Sequence, residues 1–243
     1  MAVEQALQGF KETETGETFS LQNPRLLKVE LADVTIQAKL GTMVAYQGEV
    51  KFERAGTGGM ARLMKKVATG EGVDLMKVSG TGEVFLAFHA HEVHLVKLAD
   101  DKITVNSSNL LAFEAGIDWD IRKVEGGSGV LAGGLFNLEL AGSGWVALLS
   151  DGPPMLLDVG GEPTFADPQA AITWSSGLTS SVKADVNMKT LIGRGSGETV
   201  QLSFSGKGWL LIQPSEGRVT STAAGGSGSS GGAAGGLGKL LGG

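Results

Sequence analysis

All three histidines of the chain fall within HAHEVH at residues 89–94, with a glutamate beside the last two. Imidazole and carboxylate are good metal ligands. A His-x-His pair on a β-strand places both rings on one face, because side chains alternate with period two. His89, His91, Glu92 and His94 thus outline one chemical candidate, a cupin-like metal-dependent enzyme. Other catalytic patterns are scarce. Asp118 and Asp120 in GIDWDI share a strand face on either side of Trp119, an arrangement that suits solvent for the carboxylates and the interior for the ring. No G-x-S-x-G elbow, P-loop or dinucleotide fingerprint occurs in its required strand-to-helix setting.

The elements that must carry these residues come in three copies. LMKVSGTGEVFLAF (75–88), NLELAGSGWVALLS (137–150) and QLSFSGKGWLLIQP (201–214) share alternating residues, a Gly-x-Gly and an apolar run. Their glycines are Gly80/Gly82, Gly142/Gly144 and Gly206/Gly208. Upstream, LLKVELADVTIQAKLGTMVAY (26–46) aligns without gaps to 93–113 at an offset of 67, and 154–174 follows at a further 61. Tyr46, Phe113 and Trp174 become equivalent aromatics, and Leu31, Leu98 and Val159 equivalent aliphatics. Such alternation, with Gly, Asn, Asp and Pro between runs, belongs to short half-buried strands. The Gly-x-Gly marks a bulge or a close approach of two backbones. No helix follows it, so it lacks the geometry for cradling phosphate.

The expectation is an all-β chain of three repeated β-sandwich or double-stranded β-helix-like units with internal pseudo-threefold symmetry. One short helix in a loop and a disordered Gly/Ser tail complete it. The boundaries are an N-terminal extension at 1–18, modules at 19–88, 89–150 and 151–216, and a flexible tail at 217–243. Each module alone is marginal in size, so the copies are expected to share a core.

The repeat changes the meaning of the histidines. HAHEVH lies over QNPRLL (22–27) and SDGPPM (150–155), stretches rich in turn residues. His94 replaces Leu27 and Met155, while His89 and His91 lie over Gln22/Ser150 and Pro24/Gly152, which share no ligand chemistry. The stretch therefore reads as a module junction, with no metal and no cofactor expected, and the metal enzyme stands as the alternative.

Two segments suit interaction. In GGMARLMKKVATG (58–70), Met60, Leu63, Met64 and Val67 form one face of a short helix, and Arg62, Lys65 and Lys66 lie toward the other. A basic amphipathic helix can rest on an anionic membrane or dock on a partner. The Gly/Ser/Ala-rich stretch from Ser221 leads to LGKLL, where Leu237, Leu240 and Leu241 offer an apolar tip on a flexible tether. The rest of the composition sets limits. A net charge of −6 disfavours wrapping nucleic acid. There is no cysteine, which excludes disulfides and thiolate sites. MAVEQALQGFKETETGE has neither a secretory h-region nor an Arg-rich presequence, and no apolar run of about 20 residues occurs. The expected location is cytoplasmic, with peripheral membrane contact as an option.

Taken together, FSLQNPRLLKVEL, GTMVAYQGEVKFE, GTGGMARLMKKVATGEG and SGTGEVFLAF resemble the altered inheritance of mitochondria family, number twenty-four, also called the mitochondrial biogenesis family, over about residues 19–214. The resemblance implies three β units similar to the tryptophan RNA-binding attenuator protein. It also implies mitochondrial, inner-membrane-linked roles for eukaryotic members, and it brings no catalytic residues. RNA binding by fold analogy is a further alternative, weakened by the acidic balance and by the lack of interleaved basic and aromatic residues. The leading expectation is a non-enzymatic β scaffold with protein partners or self-association, at a membrane surface or in an assembly.

Overall fold

The computed structural model describes residues 2–54, 74–122, 137–184 and 200–215. The described residues open with a short helix α1 (Ala2–Ala6) and a 3-10 turn at Gln8–Phe10, and their other elements are β-strands and a second 3-10 turn at Ser107–Asn109. The helix expected at 58–70 and the tail from 217 lie outside the described residues.

The first module contributes β1 (Phe19–Asn23), β2 (Leu26–Ala32), β3 (Ile36–Lys39), β4 (Met43–Arg54) and β5 (Leu75–Leu86). The second contributes β6 (Glu92–Asn106), β7 (Leu110–Glu114), β8 (Asp118–Arg122) and β9 (Asn137–Ser150). The third contributes β10 (Met155–Val159), β11 (Thr164–Ala166), β12 (Ala171–Ser175), β13 (Leu178–Ala184), β14 (Val200–Gly206) and β15 (Gly208–Ile212). Every pairing is antiparallel. Ile36 and Ala38 of β3 point inward and Gln37 and Lys39 outward, the alternation of a one-sided strand. By contrast, Leu110–Phe113 of β7 and Ala171–Trp174 of β12 are buried at every position, because both faces of those strands are covered.

Residues equivalent in sequence occupy equivalent registers. Leu31 pairs with Gly82, Leu98 with Gly144 and Val159 with Gly208. Tyr46 pairs with Val84, Phe113 with Val146 and Trp174 with Leu210. A register shift follows Met43, Leu110 and Ala171 alike. Asp33, just after β2, and Asp100, at the register shift within β6, both hold positive φ.

The modules do not stand as separate sandwiches. A 12-stranded sheet runs β1-β2-β5-β3-β7-β9-β6-β12-β15-β10, with β4 on β5 and β8 on β9, while β11, β14 and β13 form a second sheet. Two cross-module pairings join the copies. At the first, Ile36, Gln37 and Ala38 pair with Glu114, Phe113 and Ala112. At the second, Ile103, Thr104 and Val105 pair with Ser175, Trp174 and Thr173. The cores interlock accordingly. The first holds Val93, Leu111, Ala112, Ala147 and Leu149 of module two, and the second holds Leu75 of module one and Ile172 of module three. The third core is built from module three alone.

The second glycine of each Gly-x-Gly is a close-approach position. At Gly82 (φ +139°) a Cβ would strike the Gln47 carbonyl, and at Gly144 (φ +145°) it would meet the Glu114 carboxylate. That carboxylate accepts from the Trp145 N–H at 3.1 Å, and Ser175 Oγ accepts from Trp209 N–H, also at 3.1 Å. The missing side chain lets the partner strand fold across the corner. Gly82→Ala combines a backbone clash with a disfavoured φ and should cost more than about 2 kcal/mol of unfolding free energy in urea melts. Gly161→Ala, with open space around it, should change stability by less than about 0.5 kcal/mol.

Candidate assembly surface

The histidines do not converge. His89 (φ +47°) and Ala90 (φ +58°) turn the chain between β5 and β6, and His91 N–H closes the turn on the Phe88 carbonyl at 2.9 Å. The two imidazoles flank the Phe88 ring, with centroids at 4.4 and 5.9 Å, and Lys39 Nζ lies over the same ring. His94 sits elsewhere, paired with Leu148 on β9. Ser150 Oγ donates to the Gly152 carbonyl at 2.6 Å, so its lone pair receives the His94 Nε2–H at 2.7 Å. Burial lowers the His94 pKa from its ordinary value, against the pull of the Glu92 carboxylate. Trp119 packs edge-on against Phe113 with exposed Asp118 beside it.

The group of potential ligands that does converge among the described residues is Glu12, Glu14 and Glu83, and the chain fills it with its own cation. Lys28 Nζ lies 2.6 Å from Glu12, 2.7 Å from Glu83 and 3.3 Å from Glu14, with its side chain 2% exposed. Burial alone would draw the ammonium pKa down, but the carboxylates outweigh it and hold the pKa above the ordinary lysine value. The bond to Lys28 in turn holds Glu12 below the usual carboxylate range. Thr13 exchanges two hydrogen bonds with Gln22, and Gln47 Nε2 donates to Glu12 at 3.4 Å. The N-terminal segment is thereby strapped across β1, β2, β5 and β4. Sequence reading overlooked this strap, yet signals exist. Lys28 interrupts an apolar strand where the other copies have Leu95 and Leu156, and Glu12 and Glu14 alternate with period two.

Exposed apolar side chains occur on the N-terminal turn, at Val3, Leu7 and Phe10, and on strand edges. Met43, Val44 and Tyr46 of β4 are exposed, Tyr46 at 49%. Their equivalents Leu110, Leu111 and Phe113, and Ala171, Ile172 and Trp174, are buried to 1% exposure or less. In modules two and three this edge is covered by the preceding module through β3 or β6. In module one it pairs, among the described residues, only with β5. At the opposite end β11 pairs, among the described residues, only with β14, and Phe165 is exposed. Polar contacts accompany the filled junctions. Lys39 Nζ donates to the Ser108 carbonyl at the first, and its equivalent Asn106 donates to the Pro168 and Ala171 carbonyls at the second. The sequence-derived interaction residues Met60, Arg62, Leu63, Met64, Lys65, Lys66, Val67, Leu237, Leu240 and Leu241 lie outside the described residues. No helix among the described residues is long and apolar enough to cross a membrane.

Comparison with known proteins agrees with this architecture. A family model described as mitochondrial biogenesis AIM24 matches residues 18–215. The crystal structure of protein SPYM3_0169 from Streptococcus pyogenes is similar, with a TM-score of 0.65, 20% identity, and coverage of 81% of this chain and 91% of that one. No curated protein matches.

The lysine cage sets a pH window for the strap. A lowered Glu12 pKa contributes stability that is present above the ordinary value near 4.5 and is lost as pH falls through the folded value. The raised Lys28 pKa contributes below 10.5 and is lost only as pH rises beyond its folded value. Amide exchange over residues 11–18, taken relative to the intrinsic base-catalysed rate at each pH, should stay strongly retarded between these limits and approach the intrinsic rate in acid. Lys28→Ala should speed it at neutral pH as well and cost about 2–3 kcal/mol. This is below the range for a wholly buried pair because Glu14 is exposed.

Proposed function

The chain belongs to the mitochondrial biogenesis AIM24 family, and from that premise we propose that it is a non-enzymatic β scaffold that assembles by joining copies of itself edge to edge. The observation that carries this reading is the apolar edge Met43–Tyr46, exposed in module one and buried at the equivalent positions of modules two and three. The three modules are copies of one unit, as the recurring registers support, and each is made to receive a predecessor. A closed internal threefold would need the junction a third time, between β11 and β4. Those strands are not paired within the chain, so the third junction is made with a second copy.

The register of that contact follows from the other two. Continuing Gln37 with Phe113 and Thr104 with Trp174 places Phe165 of one copy beside Tyr46 of the next. Ala166 then faces Ala45, and Thr164 faces Gln47. The two exposed aromatics become a cross-strand pair, a favourable combination for strand association. Tyr46 stands where the other copies have Phe113 and Trp174, and its hydroxyl suits a ring that meets water before assembly. A head-to-tail contact of this kind uses two different surfaces and extends into a ring or a filament. Peripheral contact with a membrane, through 58–70, is compatible with such a scaffold in the cytoplasm.

Light scattering after gel filtration tests the proposal. The unmodified chain should run as an assembly, and Tyr46→Glu and Phe165→Glu should each run as monomers with unchanged circular dichroism. Mixing the two variants should restore a two-chain complex, since each retains the edge that the other lacks. A monomeric parent chain, or assembly that survives both substitutions, would refute it.

A further inference from the structure

β10 opens the third module as β2 opens the first, but the two strands have different surroundings. Leu27 and Lys28 on β2 are 0% and 1% exposed, because β1 pairs along one edge and the N-terminal glutamates close over the lysine. Their equivalents Met155 and Leu156 are 55% and 59% exposed. They are neighbours on one strand, so they face opposite sides of the sheet. Among the described residues β10 hydrogen-bonds only to β15, which leaves its outer backbone edge open there. An open edge with apolar side chains on both faces is the kind of surface that another strand covers, and that proteins rarely leave bare.

We propose that residues 237–241 of the same chain, LGKLL, add to this edge as a strand, giving β10 the cover that β1 gives β2. The chain leaves the described structure beside the site. Met155 pairs with Ile212, and Ser215 Oγ donates to Asp151 Oδ2 at 2.7 Å at the foot of β10. Residues 216–236 are dominated by Gly, Ser and Ala, and a linker of that length and composition spans about 25 Å, more than enough to turn back onto a neighbouring strand. Such a short tether supplies the tip at about millimolar effective concentration, so weak docking suffices. In an extended segment the adjacent Leu240 and Leu241 point to opposite faces, matching Leu156 and Met155. Charge agrees as well: Asp158 is the one charged residue of β10, and Lys239 the one charged residue of the segment. This contact uses neither β4 nor β11 and is independent of the proposed assembly.

Because the chain has no cysteine, a single introduced thiol reports directly on cover. Met155→Cys and Leu156→Cys should each react with a small aromatic disulfide about tenfold more slowly in the full chain than in a 1–236 truncation, equivalent to about 1.4 kcal/mol of docking. Leu240→Ser with Leu241→Ser in the full chain should restore the fast rate. Leu7→Cys, exposed on the N-terminal turn, should react equally in all forms. The measurements belong in the Tyr46→Glu background, so that loss of assembly and loss of docking are read separately. Equal rates with and without residues 237–243 would overturn the proposal. So would protection that disappears on dilution, which would assign the cover to a neighbouring copy.

Discussion

The molecule depends on one contact: the antiparallel pairing of a module's second inner strand with the next module's edge. It sets Ile36–Ala38 against Ala112–Glu114 and repeats at Ile103–Val105 against Thr173–Ser175. Without it β7 and β12 would show one bare face, and their unbroken apolar runs would be out of place. With it, the first two cores each take side chains from a neighbour, so the three small modules stabilise one another in series. The cost of this scheme falls on the ends. At the two ends, β4 and β11 have no such cross-module partner among the described residues.

The two ends are treated differently. At module one, the N-terminal segment crosses β1, β2, β5 and β4 and is pinned by a buried lysine among three carboxylates. A buried ammonium is costly unless its charge is answered, so the strap and Lys28 require one another. The strap seals β2 and reaches Gln47, yet stops short of Met43–Tyr46. At module three neither β10 nor β11 is covered among the described residues. The inner edges are buried, while apolar residues remain on the outer ones, the surfaces that the proposed assembly would cover.

The histidine stretch shows how context outweighs a motif. Its alternation is that of a metal-binding strand, but the positive φ at His89 and Ala90 breaks the strand before the alternation can act. The rings are then placed by Phe88 and Ser150, two unrelated neighbours. The converging carboxylates came instead from residues far apart in the chain, Glu12, Glu14 and Glu83, and enclose an ammonium.

Strand periodicity, the Gly-x-Gly corners and the turn at 89–91 were legible in the residues, because each rests on local backbone chemistry. Exposure was not legible. Met43–Tyr46 and Leu110–Phe113 are alike in type and spacing, and only the arrangement of modules decides that the second run is buried and the first is bare. The lysine cage was hidden for the same reason, since its partners meet only when the N-terminal segment folds back over the sheet. Sequence determined the strands and their corners, which depend on neighbours along the chain. The tertiary structure alone decided which of the similar runs Met43–Tyr46, Leu110–Phe113 and Ala171–Trp174 are buried, because that depends on which strand comes to lie beside each.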